Sequence, residues 1–146
     1  MNIVRAKKEE SRLKGEIKEV KKRISKCLNT LEGNTATEKF DDLMKLLDEK
    51  TEKLIALKAS VMEANVKGDM FRVIVRVGEL KSYMDFLREL DPKEGVQLSG
   101  YSENQIRYTS QWSDAQKNTA LQKTQNEINK LMDDLDTYNY STDIKK

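Results

Sequence analysis

The sequence predicts an all-α protein, an up-down bundle of long antiparallel coiled-coil-like helices with one short extended segment before the last helix. Charged residues make up 36% of the 146 residues, against only six glycines and one proline. This composition is typical of long helices rather than of a mixed fold. Apolar residues also recur at steps of three and four, the spacing of a helix face that packs against a neighbour. We therefore expect a single helical domain.

The first two helices are predicted over residues 3–31 and 37–66. From Leu13 onward, the apolar positions of the first helix step four, three, four and three, which is a heptad pattern. The second helix has a wider apolar stripe that could contact two neighbours. We predict that it begins at a capping box, in which Thr35 and Glu38 each bond the other residue's exposed amide through their side chains.

The third helix is predicted over residues 70–90, but its start is open to two interpretations. Residues 72–77 read "RVIVRV", a β-branched run that suits a strand. The apolar residues of the whole segment nevertheless step four, three, four and three: Val73, Val77, Leu80, Met84 and Leu87. We favour a helix, and leave a strand over residues 70–78 as the alternative.

An extended segment is predicted over residues 104–111, where Ile106, Tyr108 and Ser110 alternate with Arg107, Thr109 and Gln111 at the period of a strand. The last helix follows over residues 114–137, and Ser113 with Gln116 predicts a second capping box at its start. In an up-down bundle, Asn65 and Asn139 lie at the same end. We expect both to close helix ends, because asparagine tolerates the left-handed conformation found there.

The residue inventory argues against an enzyme and against a metal or cofactor site. There is no histidine, which removes histidine-based catalysis and histidine-containing metal sites. The only cysteine, Cys27, lies on the apolar stripe of the first helix, where a thiol behaves as a small hydrophobic group. The acidic residues lack the spacing of a calcium loop, and no glycine-rich phosphate loop is present. We predict no catalytic, cofactor-binding or metal-ligating residues, and no small-molecule substrate.

The charge is unevenly distributed along the chain. Residues 1–31 hold ten Lys/Arg and four Glu, whereas residues 32–50 hold six acids and three lysines. A basic helix can bind nucleic acid or an anionic membrane surface. We favour the simpler interpretation that the basic helix lies antiparallel to the acidic start of the second, because charges that flank a helix seam commonly pair. The absence of a signal-peptide pattern and of a long apolar run indicates a cytoplasmic protein.

The candidate contact residues lie in and around the extended segment, within residues 100–114: Tyr101, Ile106, Arg107, Tyr108 and Trp112. Tyrosine, tryptophan and arginine anchor many interfaces, and an extended segment can pair with another chain. The alternative is that the large side chains close one end of the helical core. We predict subunit or partner contact here, within a homo-oligomer.

Four stretches of the sequence resemble a family of small uncharacterised bacterial helical proteins, some of which are labelled septicolysin. These are "RLKGEIKEV" at 12–20, "VMEAN" at 61–65, "YSENQIR" at 101–107 and "NYSTDI" at 139–144. The resemblance implies a helix over residues 70–90. Its label implies a membrane-active, cytolysin-type protein, although the family brings no catalytic residues.

The residues themselves indicate a non-enzymatic structural or interaction protein that self-associates, with an unidentified protein partner. A membrane-active protein that works through amphipathic helices is the second hypothesis. Nucleic-acid binding through the basic first helix is the third.

Overall fold

A computed structural model describes residues 1–98 and 105–145, without the side chains of residues 97, 98 and 105. The described chain is all-α, as predicted, with four helices and one two-stranded sheet. The elements are α1 (Ile3–Cys27), α2 (Phe40–Lys67), α3 (Met70–Glu89), β1 (Gly95–Leu98), β2 (Gln105–Tyr108) and α4 (Asp114–Ser141). Residues 70–78 are helical, which resolves the ambiguity of that segment in favour of α3.

Two compact units make up the chain. The first contains Met1–Met70 and the residues from Thr137 onward, and the second contains Phe71–Asp136. In the first unit, α1 and α2 pack antiparallel, because Glu16 bonds Lys50 while Arg23 bonds Glu38. In the second unit, α3 and α4 are also antiparallel.

The core of the first unit follows the heptad pattern of α1. Leu13, Val20 and Cys27 are buried and stand seven residues apart. At the other end of the unit, the start of α1, the end of α2 and the C-terminal segment share one cluster: Ile3, Ala6, Val61, Ala64 and Ile144. An isolated β-bridge between Asn2 and Asp143 joins the two terminal segments there.

The core of the second unit joins α3 to α4. Val77, Met84 and Ile128 are buried together, with Val73, Leu80, Leu121, Leu131 and Met132 packed against them. The residues of α3 in this cluster are the ones that step four and three in the sequence. The periodic stripe of α3 is therefore the face that α4 covers.

The structure differs from the sequence prediction at two helix boundaries, the end of α1 and the start of α2. The first helix ends at Cys27 rather than at residue 31. Leu31 is 79% exposed, so burial of this side chain does not stabilise a further helical turn. The second begins at Phe40, with Lys39 as its N-cap residue and no side-chain capping bond. The predicted capping box of Thr35 and Glu38 is therefore wrong. The Glu38 carboxylate instead binds the Arg23 guanidinium, a stronger charge-assisted bond.

The last helix is longer than predicted, and the extended segment has a partner that the sequence did not suggest. Helix α4 continues to Ser141, four residues beyond the predicted end. Strand β2 pairs antiparallel with β1 of the same chain, with Gly95 opposite Tyr108 and Val96 opposite Arg107. The predicted free segment of residues 104–111 is thus one strand of a hairpin.

Candidate interaction surfaces

The hairpin carries three of the predicted contact residues on its surface. Ile106 and Tyr108 point to one face of the strand, and Arg107 points to the other with Val96; all four are exposed. The ammonium group of Lys93 lies 5.7 Å from the centre of the Tyr108 ring, a cation–π contact that covers one side of the ring. None of these residues belongs to the core cluster of the second unit. Tyr101 lies outside the described residues.

Trp112, the remaining contact candidate, is half-buried in the turn between the hairpin and α4. The Ser110 hydroxyl accepts the amide hydrogen of Trp112 at 3.2 Å and donates to its carbonyl oxygen. The predicted capping box is present at the start of α4. The Ser113 amide donates to Gln116 Oε1 at 2.9 Å, and the Gln116 amide donates to Ser113 Oγ at 3.1 Å. Local hydrogen bonds therefore fix the entry of the chain into α4.

A cation on α4 closes the end of α3, a role that the sequence did not reveal. The Lys117 ammonium group donates to the main-chain carbonyl oxygens of Arg88, at 3.1 Å, and of Leu90. These carbonyls have no intrahelical partner at a helix C-terminus, where a positive charge is also favourable. The position of Lys117 in the sequence could have indicated this contact. Lys117 lies one turn into α4, and an antiparallel α3 ends opposite that turn.

Helix α3 presents a second apolar surface, which we call the outer face of α3 and define by Phe71, Ile74, Val75, Gly78, Ser82 and Phe86. At 100° per residue, Phe71, Val75, Gly78, Ser82 and Phe86 lie within about 40° of the direction opposite the face that α4 covers. Ile74 lies at one edge of this surface, beside Asp85. Phe71 is 42% exposed, Val75 59% and Phe86 57%. Sequence reasoning missed this surface because it followed only the four-three stripe. The missed signal was the apolar residues left over from the stripe.

A smaller apolar strip runs along the outer side of α2 and comprises Ile55, Ala59, Met62 and Val66. All four are exposed, and they step four, three and four. Asp48 and Glu52 occupy the preceding positions of the pattern, and Asp69 the next one. The strip is therefore shorter than two heptads, and it offers no aromatic side chain.

The two predicted helix-end asparagines are not caps. Asn65 lies inside α2 and Asn139 inside α4, and both are at least nine-tenths buried. Neither Oδ1 atom has a hydrogen-bond partner within the part of the chain that the structure describes. The left-handed residue that ends α2 is Asp69, with φ of 57°. Main-chain amides cap this helix end instead, since the Gly68 N–H donates to the Ala64 carbonyl oxygen at 3.0 Å.

A cavity of about 330 Å³ lies beside these residues in the first unit. Its wall mixes both charge signs with hydroxyl groups: Ser60, Glu63, Ala64, Lys67, Gly68, Tyr138, Thr142, Asp143 and Lys145. No metal-binding group of three or more Cys, Asp or Glu side chains occurs among residues 1–98 and 105–145. The thiol of Cys27 is buried and 3.5 Å from the Ile24 carbonyl oxygen.

The electrostatics of the first unit come from ion pairs between and within its helices. The hydrogen bond from Arg23 lowers the pKa of Glu38 below its ordinary value of 4.5. The hydrogen bond from Lys50, at 2.6 Å, likewise lowers the pKa of Glu16. In the pair of Arg23 with Glu38, α1 supplies the base and the loop before α2 supplies the acid, as predicted. In the pair of Glu16 with Lys50, α1 supplies the acid and α2 the base.

Four lysines lie together on the second half of α1. Lys18, Lys21, Lys22 and Lys26 are exposed and border one shallow depression. Lys22 also pairs with Glu19 at 3.1 Å.

No helix of the described chain is long and apolar enough to cross a bilayer.

The fold and these surfaces define an all-α protein built of antiparallel helix pairs, with apolar surface left exposed on two helices. The chain belongs to a family of unknown function, DUF6847, whose model matches residues 10–144. No protein of curated function matches it.

One solved structure shares the fold over almost the whole chain. It is described as the crystal structure of a functionally unknown conserved protein from Corynebacterium diphtheriae. The TM-score is 0.67, and the alignment covers 99% of each chain at 14% sequence identity. At this identity the likeness concerns the fold alone.

Proposed function

We propose that this protein acts by binding other protein chains, in the first place copies of itself, and that it catalyses no reaction. The observation that carries the proposal is the outer face of α3, with Phe71, Val75 and Phe86 all more than two-fifths exposed. Large contiguous apolar surface on a soluble helix is characteristic of interaction sites. The lack of histidine and the burial of the only thiol support a non-enzymatic role.

Sedimentation equilibrium over a range of protein concentrations tests self-association. We expect the average mass to rise from that of the 16.9 kDa chain toward a multiple of it as concentration increases. A mass that stays at one chain up to the highest attainable concentration contradicts self-association.

Dye-loaded vesicles of several lipid compositions test the membrane-active alternative. On our proposal the protein causes no release of dye from them.

A second candidate function is the binding of an anionic polymer by α1. The four lysines that border one depression of this helix, Lys18, Lys21, Lys22 and Lys26, support it. Binding of this kind weakens steeply with salt, because the cations displace counterions from the polymer. A labelled DNA or RNA duplex that shifts at low salt and is released at high salt would support this function. No shift at low salt would dismiss it.

A further inference from the structure

We infer that the outer face of α3 is a homodimer interface, in which α3 packs antiparallel against α3 of a second copy about a two-fold axis near residues 78 and 79. This inference rests on the proposed self-association and names its surface. Helix α3 is 20 residues long, or about 30 Å, and α4 covers only one of its two apolar sides. The other side is available along its whole length.

The shape of the outer face suits a second copy of itself. Phe71 and Phe86 lie seven and eight residues from the centre in opposite directions, and Val75 and Ser82 lie three and four from it. An antiparallel two-fold therefore sets Phe71 against Phe86 of the partner subunit at both ends. In the centre, a Cβ on Gly78 would meet no atom within 4 Å, so the backbone of a second helix can approach closely.

The charges of α3 favour the antiparallel arrangement over the parallel one. The half from Phe71 to Gly78 carries Arg72 and Arg76 and no acid, whereas all the acids of the helix lie from Glu79 onward. The second half also carries Lys81 and Arg88, so the net charges of the two halves are +2 and −1. Arg76 pairs with Glu127 of α4, and Arg88 pairs with Asp85 within α3. Antiparallel packing sets the positive half of one copy against the half of the other copy that holds the acids. It also sets the two helix dipoles antiparallel, so that the N-terminus of each helix lies beside the C-terminus of the other.

Glu89 is the acidic residue at the end of α3 that lies closest to the proposed interface. It lies on the same side of α3 as Phe71 and Phe86, at the C-terminal end of the outer face. In the antiparallel pair it lies opposite the start of the second α3, whose first turn holds no acid and is preceded by Asp69. A carboxylate near a helix N-terminus is stabilising.

The size of the outer face of α3 determines the affinity that we expect for the dimer. A single pair of helices buries less area than the interfaces of stable dimers, so we expect a dissociation constant on the order of micromolar. The helix is already formed against α4, so association does not have to order it, and this favours binding by a small surface.

Charge insertion tests the surface. Val75→Glu places a carboxylate in the centre of the outer face, at a residue that contributes nothing to the core cluster. Met62→Glu on the outer strip of α2 is the matched control, because Met62 is also exposed, at 69%. We expect Val75→Glu to raise the dimer dissociation constant by at least about tenfold, as measured by sedimentation. We expect Met62→Glu to leave it unchanged and both variants to keep the far-ultraviolet circular dichroism of the wild type.

The outcomes separate the inference from the proposed function. A wild-type mass of one chain at every concentration overturns both. A dimer that persists in Val75→Glu overturns the α3 interface and leaves self-association through another surface. Dissociation caused by Met62→Glu, alone or together with Val75→Glu, also overturns the assignment to α3.

Cysteine cross-linking in a Cys27→Ala background tests the orientation. Antiparallel packing brings residue 75 of one copy next to residue 82 of the other, while the two copies of residue 75 lie about 10 Å apart along the axis. A disulfide requires Cα atoms within about 7 Å. Co-refolded Val75→Cys and Ser82→Cys chains should therefore cross-link with each other, and Val75→Cys alone should not. Efficient cross-linking of Val75→Cys with itself would contradict the antiparallel dimer.

Discussion

The hydroxyl group of Tyr138 donates a 2.6 Å hydrogen bond to the carbonyl oxygen of Ala64, and this bond joins α4 to the last turn of α2. The same carbonyl accepts the amide hydrogen of Gly68 at 3.0 Å. The Tyr138 ring lies so close to this turn that a Cβ on Gly68 would be 2.2 Å from the hydroxyl oxygen. Glycine is required here by close approach of a side chain, since its φ of −88° is open to any residue.

Tyr138→Phe should lower the free energy of unfolding by about 1 kcal/mol, the usual contribution of one hydrogen bond. Gly68→Ala should lower it by about 1–3 kcal/mol, because the tyrosine ring must move and the same bond is lost. The double variant should cost less than the sum of the two, since the bond can be lost only once. Urea denaturation measures all three, and strict additivity would show that the two residues are not coupled.

Gly15→Ala should have the opposite effect. Gly15 lies inside α1, and an added Cβ meets no atom within 4 Å. Alanine restricts the unfolded chain and favours the helix, so we expect an increase in the free energy of unfolding of about 0.5–1 kcal/mol. A loss of stability in urea denaturation would mean that α1 packs more closely at this point than the structure shows.

Ser113→Ala should destabilise the protein by about 1 kcal/mol, because the amide of Gln116 loses its acceptor at the start of α4. Thr35→Ala is the matched control. Thr35 is exposed and does not cap α2, so its replacement should change the free energy of unfolding by less than about 0.5 kcal/mol. Equal losses in the two variants would contradict the capping assignment at either position.

The ion pair between Arg23 and Glu38 should make stability depend on pH in the acid range. Because the Arg23 hydrogen bond lowers the pKa of Glu38 in the folded state, the unfolded chain binds the proton more tightly. The contribution is therefore fully present above the unfolded pKa and is lost as the pH falls through the folded pKa. Glu38→Gln should lower Tm slightly at pH 7 and have no effect at a pH below the folded pKa. Glu52→Gln on the exposed side of α2 serves as the control.

Replacement of Asn139 should show whether its buried amide group is satisfied. With Oδ1 unpartnered among the described residues, Asn139→Leu should leave Tm unchanged or raise it, because the unpaired polar atom is removed while the branched shape of the side chain is kept. Asn139→Asp should lower Tm strongly near neutral pH, because it buries a charge. A large loss of stability in Asn139→Leu would indicate that a bound water or another donor serves the amide oxygen.

The sequence predicted the helices best where periodicity and burial coincide. The heptad positions Leu13, Val20 and Cys27 are buried, and the stripe of α3 from Val73 to Leu87 is the one that α4 covers. The capping box at Ser113 and Gln116 was also predictable, because it depends only on four consecutive residues. In each of these cases the physical cause is local or periodic, so it can be recognised without knowledge of the neighbours.

The errors have a common physical origin in competition between local and distant partners. Glu38 matched a capping box, but in the folded chain an arginine 15 residues away binds its carboxylate. Asn65 and Asn139 matched helix ends, but packing of the terminal segments extends both helices beyond them. The strand around Ile106 was recognised by its alternation, whereas its partner, residues 95–98, carries no comparable signal.

By itself, the sequence determined the all-α class and most of the faces that become the core, because composition and periodicity act through burial along each helix. Only the tertiary structure decided which apolar residues remain without a cover. Both sides of α3 carry large apolar side chains, but α4 packs only against the side that holds Val73, Val77, Leu80 and Met84. That difference in exposure, invisible in the order of residues, is what makes α3 the proposed contact with a second copy.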